Sequence, residues 1–116
     1  MRMTLGAPLL AVLLLASCGR VENTLTVKNT SGVTAAQVTV KVCTRSYGFT
    51  NLNDGESKTG TFTVDGDSGF SVSASLSDGT TLLTNSFGYV TGGAGAYGNH
   101  AEIEITKDRK ITGKQK

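Results

Sequence analysis

Tryptophan is absent from this chain, cysteine occurs twice, and histidine and proline once each. Each scarcity excludes something. Two cysteines, Cys18 and Cys43, do not make a disulfide framework. The Cys…Trp…Cys core of true immunoglobulin domains has no counterpart, so "Ig-like" can describe architecture alone. A single histidine, His100, leaves no set of three or four His, Cys and acidic ligands of the kind zinc takes. It also leaves a general acid–base catalyst without convergent partners. No metal, no cofactor and no enzyme activity are therefore expected. Charge of one sign is lacking too: 11 Lys and Arg stand against 9 Asp and Glu, which argues against a dedicated nucleic-acid binder. The longest apolar run, LLAVLLLA at 9–16, is too short to span a bilayer.

That run has another meaning. Arg2 precedes it and small residues come after it, which is the layout of a secretory signal over residues 1–17. Leu15, Ala16, Ser17 and Cys18 resemble the lipobox of bacterial lipoproteins. The resemblance implies a diacylglyceryl group on the Cys18 thiol, with cleavage leaving that cysteine at the new N-terminus. By the Gram-negative sorting rule, Gly19 in place of aspartate implies the outer membrane, periplasmic face. Burial of acyl chains contributes about 0.8 kcal/mol per CH₂, so two or three chains would hold the protein almost permanently. Ordinary signal cleavage after Cys18 would instead release a soluble secreted domain. If lipidated, residues 18–24 form a short tether. Its six residues after Cys18 span at most about 20 Å, which keeps the domain close to the bilayer.

From residue 25 onward the chain reads as strands. Leu25 and Val27 alternate with threonine and lysine, as do Val38, Val40 and Val42. Phe62 and Val64 continue the pattern. Phe70, Val72, Ala74 and Leu76 alternate with serines, and Ala101, Ile103 and Ile105 with glutamate and threonine. A period of two with one apolar face marks a half-buried strand. Turn-forming clusters at 29–32, 53–55, 65–69 and 78–79 separate the runs. With residues 46–50 and 80–84 as weaker members, about seven antiparallel strands are expected. They would form an all-β, Ig-like or Greek-key β-sandwich over residues 25–106. Residues 107–116 carry five bases and one acid and are expected to form a solvated, frayed basic tail.

GGAGAYG at 92–98 contains a literal GxGxxG. A dinucleotide site needs that pattern to open a helix and an acidic residue about twenty positions on. Here residues 99–106 alternate like a strand, and the chain ends too soon. As a phosphate loop it fails as well, because Asn99 and His100 stand where Lys and Ser or Thr are required. No nucleotide is expected. The segment reads instead as a long hairpin connection: either it presents Tyr97 and Tyr89, residues suited to recognition because they offer apolar area and a hydroxyl at little entropic cost, or it is a flexible loop with Tyr97 folded onto its own sheet. Asp65 and Asp67 invite a calcium reading, but an EF-type loop needs Gly and Glu where Phe70 and Leu76 stand. His100 shares strand parity with Glu102 and Glu104, so a salt-bridged surface position is expected. Cys43 shares parity with Lys41 and Arg45, yet free cysteine behaves as a small hydrophobe. Burial is the default, either because the outer face is covered there or because the alternation slips near residues 46–48.

These readings converge on a membrane-anchored envelope binding lipoprotein that acts through protein–protein contacts, with Tyr89, Tyr97 and His100 as binding candidates. The alternatives are an inhibitor of a periplasmic, lysozyme-type hydrolase using residues 92–100, and a structural piece of an envelope assembly in which the strand at 70–77 pairs with a neighbour.

Overall fold

The inward positions of the first strand, 23, 25, 27 and 29, read Asn, Leu, Val, Asn. That pattern sets the plan of the domain: an apolar middle, with a buried amide at each end. The computed structural model describes residues 21–84 and 86–116; the signal segment and the expected lipidation site at Cys18 lie outside them. Among the described residues there are nine strands. They are β1 (Asn23–Asn29), β2 (Ala35–Val42), β3 (Arg45–Leu52), β4 (Ser57–Phe62), β5 (Ser68–Leu76), β6 (Thr81–Leu83), β7 (Phe87–Val90), β8 (His100–Ile105) and β9 (Ile111–Gln115). One 3₁₀ turn, Gly93–Ala96, interrupts them.

The strands form two sheets packed face to face, the expected all-β sandwich. Sheet one has the order β9-β8-β1-β4. Sheet two has the order β3-β2-β5-β6, with β7 paired to the other half of the β5 edge that β6 occupies. All pairs are antiparallel except β1 with β8, which run parallel from Thr24 opposite His100. Leu25, Val27, Val38, Val40, Phe70, Val72, Ile103 and Ile105 fill the space between the sheets, each 2% exposed or less. At about 25 cal/mol per Å² of apolar area removed from water, this face-to-face burial is the main stabilising term.

Four rings cross the core from one seam between the sheets to the other. Tyr47 meets Phe62 edge-on at 6.4 Å, Phe62 meets Phe70 at 5.4 Å, and Phe70 stacks on Phe87 at 5.2 Å. Such pairs add about 0.5–1.5 kcal/mol each beyond their area. At one seam the Tyr47 hydroxyl accepts a bond from the Thr63 amide. At the other, the Phe87 ring lies where a Cβ on Gly113 would come within 2.5 Å of it.

Several expectations change. Residues 107–116 are not a frayed tail: Ile111–Gln115 is an edge strand in register with β8, closed over Phe87 by Gly113. The domain also begins earlier than residue 25, because Asn23 and Thr24 pair with Phe62 and Thr61. The strand expected at Phe62 and Val64 lies instead at Ser57–Phe62, whose small polar residues hid it. Gly60 there lies beside the Phe49 ring across the seam, close enough that an added Cβ would touch it at 3.6 Å. The strand at 70–77 is central, flanked by β2 and by β6 and β7, so it offers no edge to a neighbour. Finally, residues 91–99 are not a hairpin loop. They carry the chain from β7 in sheet two to β8 in sheet one.

Candidate functional site

The parallel pairing of β1 with β8 brings the start of both strands to one end of the sandwich. The close of β4, the start of β5 and the end of β7 arrive there too. So do the β2–β3 turn and both ends of the described chain. This loop end collects most of the candidate residues.

Tyr89 is placed by a bulge. Ser68 to Phe70 on β5 faces Val90 to Phe87 on β7, so β7 carries an extra residue. Gly88 takes φ +66° at that point, and a Cβ there would lie 2.7 Å from the Gln115 side-chain oxygen. A glycine in the left-handed region is the standard way to open such a bulge, which re-aims the next side chain. Tyr89 is thereby thrown outward and 60% exposed. Its hydroxyl donates to Asp67 Oδ2 at 3.1 Å and its amide donates to Gln115 Oε1 at 2.7 Å. The bond to Asp67, with the negative charge behind it, raises the phenol above its ordinary value of 10.0.

From Tyr89 a chain of side-chain bonds runs across the end. The Gln115 amide donates to Asn99 Oδ1 at 3.3 Å. Asn99 donates its backbone and side-chain N–H groups to Asn23 Oδ1, both at 3.0 Å. Asn23, 4% exposed, donates in turn to the carbonyls of Ala96 at 2.7 Å and Phe62 at 3.2 Å. Its two donors and two acceptor positions are all used, the condition under which a buried amide is tolerated. At the opposite end Asn29, fully buried, does the same for the carbonyls of Val33 and Leu52 and the Ser31 amide. No apolar periodicity reveals these amides; a polar residue at an inward strand position is the signal that was there to read.

The glycine-rich segment is therefore pinned down. Gly92 packs on Gly66, its amide reaching Asp67 Oδ1 at 3.4 Å. Gly95 passes so close to the Thr91 hydroxyl that a Cβ would clash, and Ala96 is buried. The Gly98 amide donates to the Val21 carbonyl at 2.8 Å. Tyr97 is 47% exposed beside a cleft of about 230 Å³ that it lines with Asn23, Phe62, Val64 and Ala96. Tyr97 and Tyr89 thus stand at the same end, Tyr97 within the pinned segment and Tyr89 on the strand that leads into it.

His100 does not join them. It is exposed on the outer face of sheet one, where its Nδ1 lies 2.7 Å from the Thr24 hydroxyl. Among the described residues it forms no ion pair. Glu102 bonds Lys116 at 2.7 Å and Lys114 at 3.7 Å instead, and the Lys116 contact holds its carboxyl below the ordinary range. A larger open groove of about 480 Å³ on that face is lined by Thr26, Lys28, Glu104 and Lys114 and contains neither tyrosine.

Cys43 is buried, and the alternation slips at the β2–β3 turn rather than at residues 46–48. Cys43 and Thr44 occupy the two turn positions at φ +54° and +64°, as a two-residue type I′ hairpin requires. The thiol donates to the Gly66 carbonyl at 3.3 Å. Arg45 and Asp65 form an exposed pair at 3.3 Å next to it. Asp65 and Asp67 point to Arg45 and Tyr89, and among the described residues no three His, Cys, Asp or Glu side chains group as metal ligands.

In form this is a two-sheet β-sandwich with a braced end that displays two tyrosines. No known protein family matches the chain, and no curated protein matches its sequence. Its fold is similar to that of a protein from Eubacterium rectale solved by NMR. The TM-score is 0.56, the identity is 13%, and the match covers 85% of this chain and 92% of that one. At that identity the likeness shows the fold alone.

Proposed function

We propose that this protein is a binding module of the bacterial envelope, held on a membrane by a lipid on Cys18, which recognises another envelope protein through Tyr89. The lipobox-like residues Leu15, Ala16, Ser17 and Cys18 support the location. The observation that carries the binding reading is the mounting of Tyr89. A glycine bulge aims it outward, and its own hydroxyl and amide, donating to Asp67 and Gln115, hold it before any partner arrives. A rigid exposed tyrosine loses little freedom on binding, and residues of this kind make the energetic centres of protein interfaces.

Photo-crosslinking from position 89 in cells producing the full-length chain tests this, with Thr50 on β3 as the control position. One discrete protein adduct from position 89, absent from position 50, supports the reading and names the partner. An adduct that proves to be a muramidase-type hydrolase makes the module an inhibitor. No adduct, or equal labelling from both positions, overturns it. With a partner in hand, Tyr89→Ala is expected to weaken the complex at least tenfold, about 1.4 kcal/mol.

A further inference from the structure

We infer that the loop end bearing Val21 and Tyr97 rests on the lipid headgroups, so that the sandwich stands on its end with its strands leading away from the bilayer. The inference deepens the anchored-module reading and depends on lipidation of Cys18.

Val21 lies three positions after Cys18, a span of at most about 11 Å even when fully extended. An acylated Cys18 sits at the bilayer surface, so Val21 sits within that distance of it. The position of Val21 on the domain is not free either. Its carbonyl accepts the Gly98 amide at 2.8 Å, and the Thr24 amide beyond it donates to the Asn99 carbonyl at 2.9 Å. The tether therefore leaves the domain directly beside Tyr97, and the stitched segment must accompany it down.

The surface there suits headgroups. Val21 is 60% exposed and Tyr97 is 47% exposed, two of four large apolar side chains exposed to this degree among the described residues. Tyrosine is enriched where a polar tip and an apolar body meet a membrane–water boundary. Charges near this end come in both signs: Glu22, Asp65 and Asp67 against Arg45 and Lys116. Contact is therefore made by apolar and hydroxyl groups rather than by attraction to anionic lipid. Leu83, the most exposed of the four at 81%, lies elsewhere. It pairs with Ser73, five positions along β5 from Ser68 at the loop end, or about 17 Å away.

The absence of tryptophan makes the test direct. Full-length Tyr97→Trp and Leu83→Trp proteins, and Val21→Trp as a second probe of the same end, are purified from a lipoprotein-processing bacterium. Each is reconstituted into phosphatidylethanolamine–phosphatidylglycerol vesicles with and without bromine-labelled acyl chains. The mass of the N-terminal peptide is read in parallel. The expected result is an acylated Cys18, with brominated lipid lowering tryptophan emission at least about twofold in the Y97W and V21W proteins and little in L83W. An acylated Cys18 with no quenching at either end position overturns the posture and leaves the anchor standing, as does equal quenching in all three proteins. An unacylated N-terminal peptide overturns the anchor, and the posture with it.

Discussion

Replacing Asn23 by alanine should cost this domain far more than a residue at the start of its first strand ordinarily would. The Asn23 amide donates to the carbonyls of Phe62 and Ala96 and accepts two bonds from Asn99. Each such bond contributes about 1 kcal/mol net, and each buried partner left unpaired costs about 1–3 kcal/mol. Water reaching the rim of the end recovers part of that, because Asn99 is only half-buried. The expected loss is about 3 kcal/mol. For a domain of this size, that lowers the melting temperature by roughly 10–20 °C. Urea unfolding followed by far-ultraviolet circular dichroism measures it, with the slope unchanged. A double-mutant cycle with Asn99→Ala should give a coupling of about 1–2 kcal/mol. Amide exchange at Ala96 and Gly98 should accelerate in Asn23→Ala, while that of the β2 core holds its rank. A loss under about 1 kcal/mol, or strict additivity with Asn99→Ala, would refute the claim that a buried amide pins the glycine-rich segment.

Further substitutions probe other parts of the molecule. Gly88→Ala places a Cβ at positive φ and 2.7 Å from the Gln115 oxygen. It should destabilise by about 2 kcal/mol, and in NMR spectra the Tyr89 amide should lose the shift that its bond to Gln115 produces. Thr44→Gly relieves a β-branched residue at φ +64°; after the entropy cost of glycine it should stabilise by about 0.5–1 kcal/mol in thermal melts. Asp78, bonded by the Thr80 hydroxyl and amide and by Arg109, has its carboxyl lowered from 3.8 to about 2. A depressed carboxylate adds stability that is present above 3.8 and is lost as pH falls through about 2, so the gap between wild type and Asp78→Asn should close across that acid window and stay constant from pH 5 to 7. A gap that is unchanged at pH 2 would refute the assignment.

The apolar alternation of Val38, Val40 and Val42, of Phe70 to Leu76 and of Ala101 to Ile105 determines that the chain folds as half-buried strands. The turn residues between them determine that the strands are many and short. With no helical pattern after the signal-like leader, a two-layer β domain is the solution that buries those faces. The sequence also rules out the nucleotide reading of GGAGAYG, because the residues after it alternate with a period of two. Local pattern reports only which face of a strand is apolar. It is silent about which strand lies beside which.

Tertiary structure decided the rest. β9 was hidden because Ile111–Gln115 has one apolar residue and a Gly113 whose purpose, making room for Phe87, appears only once the seam is closed. The parallel pairing of β1 and β8 joins residues about 76 apart in sequence, and it brings the first described residues beside the glycine-rich segment. Asn23 and Asn29 look like tether and turn residues in isolation, yet they cap the core because their strand positions face inward and loop carbonyls need donors there. Tyr89 and Tyr97 could be singled out as tyrosines near glycines. That a bulge aims the first outward, while the second lies beside Val21, where the described residues begin, is decided by contacts between strands distant in sequence.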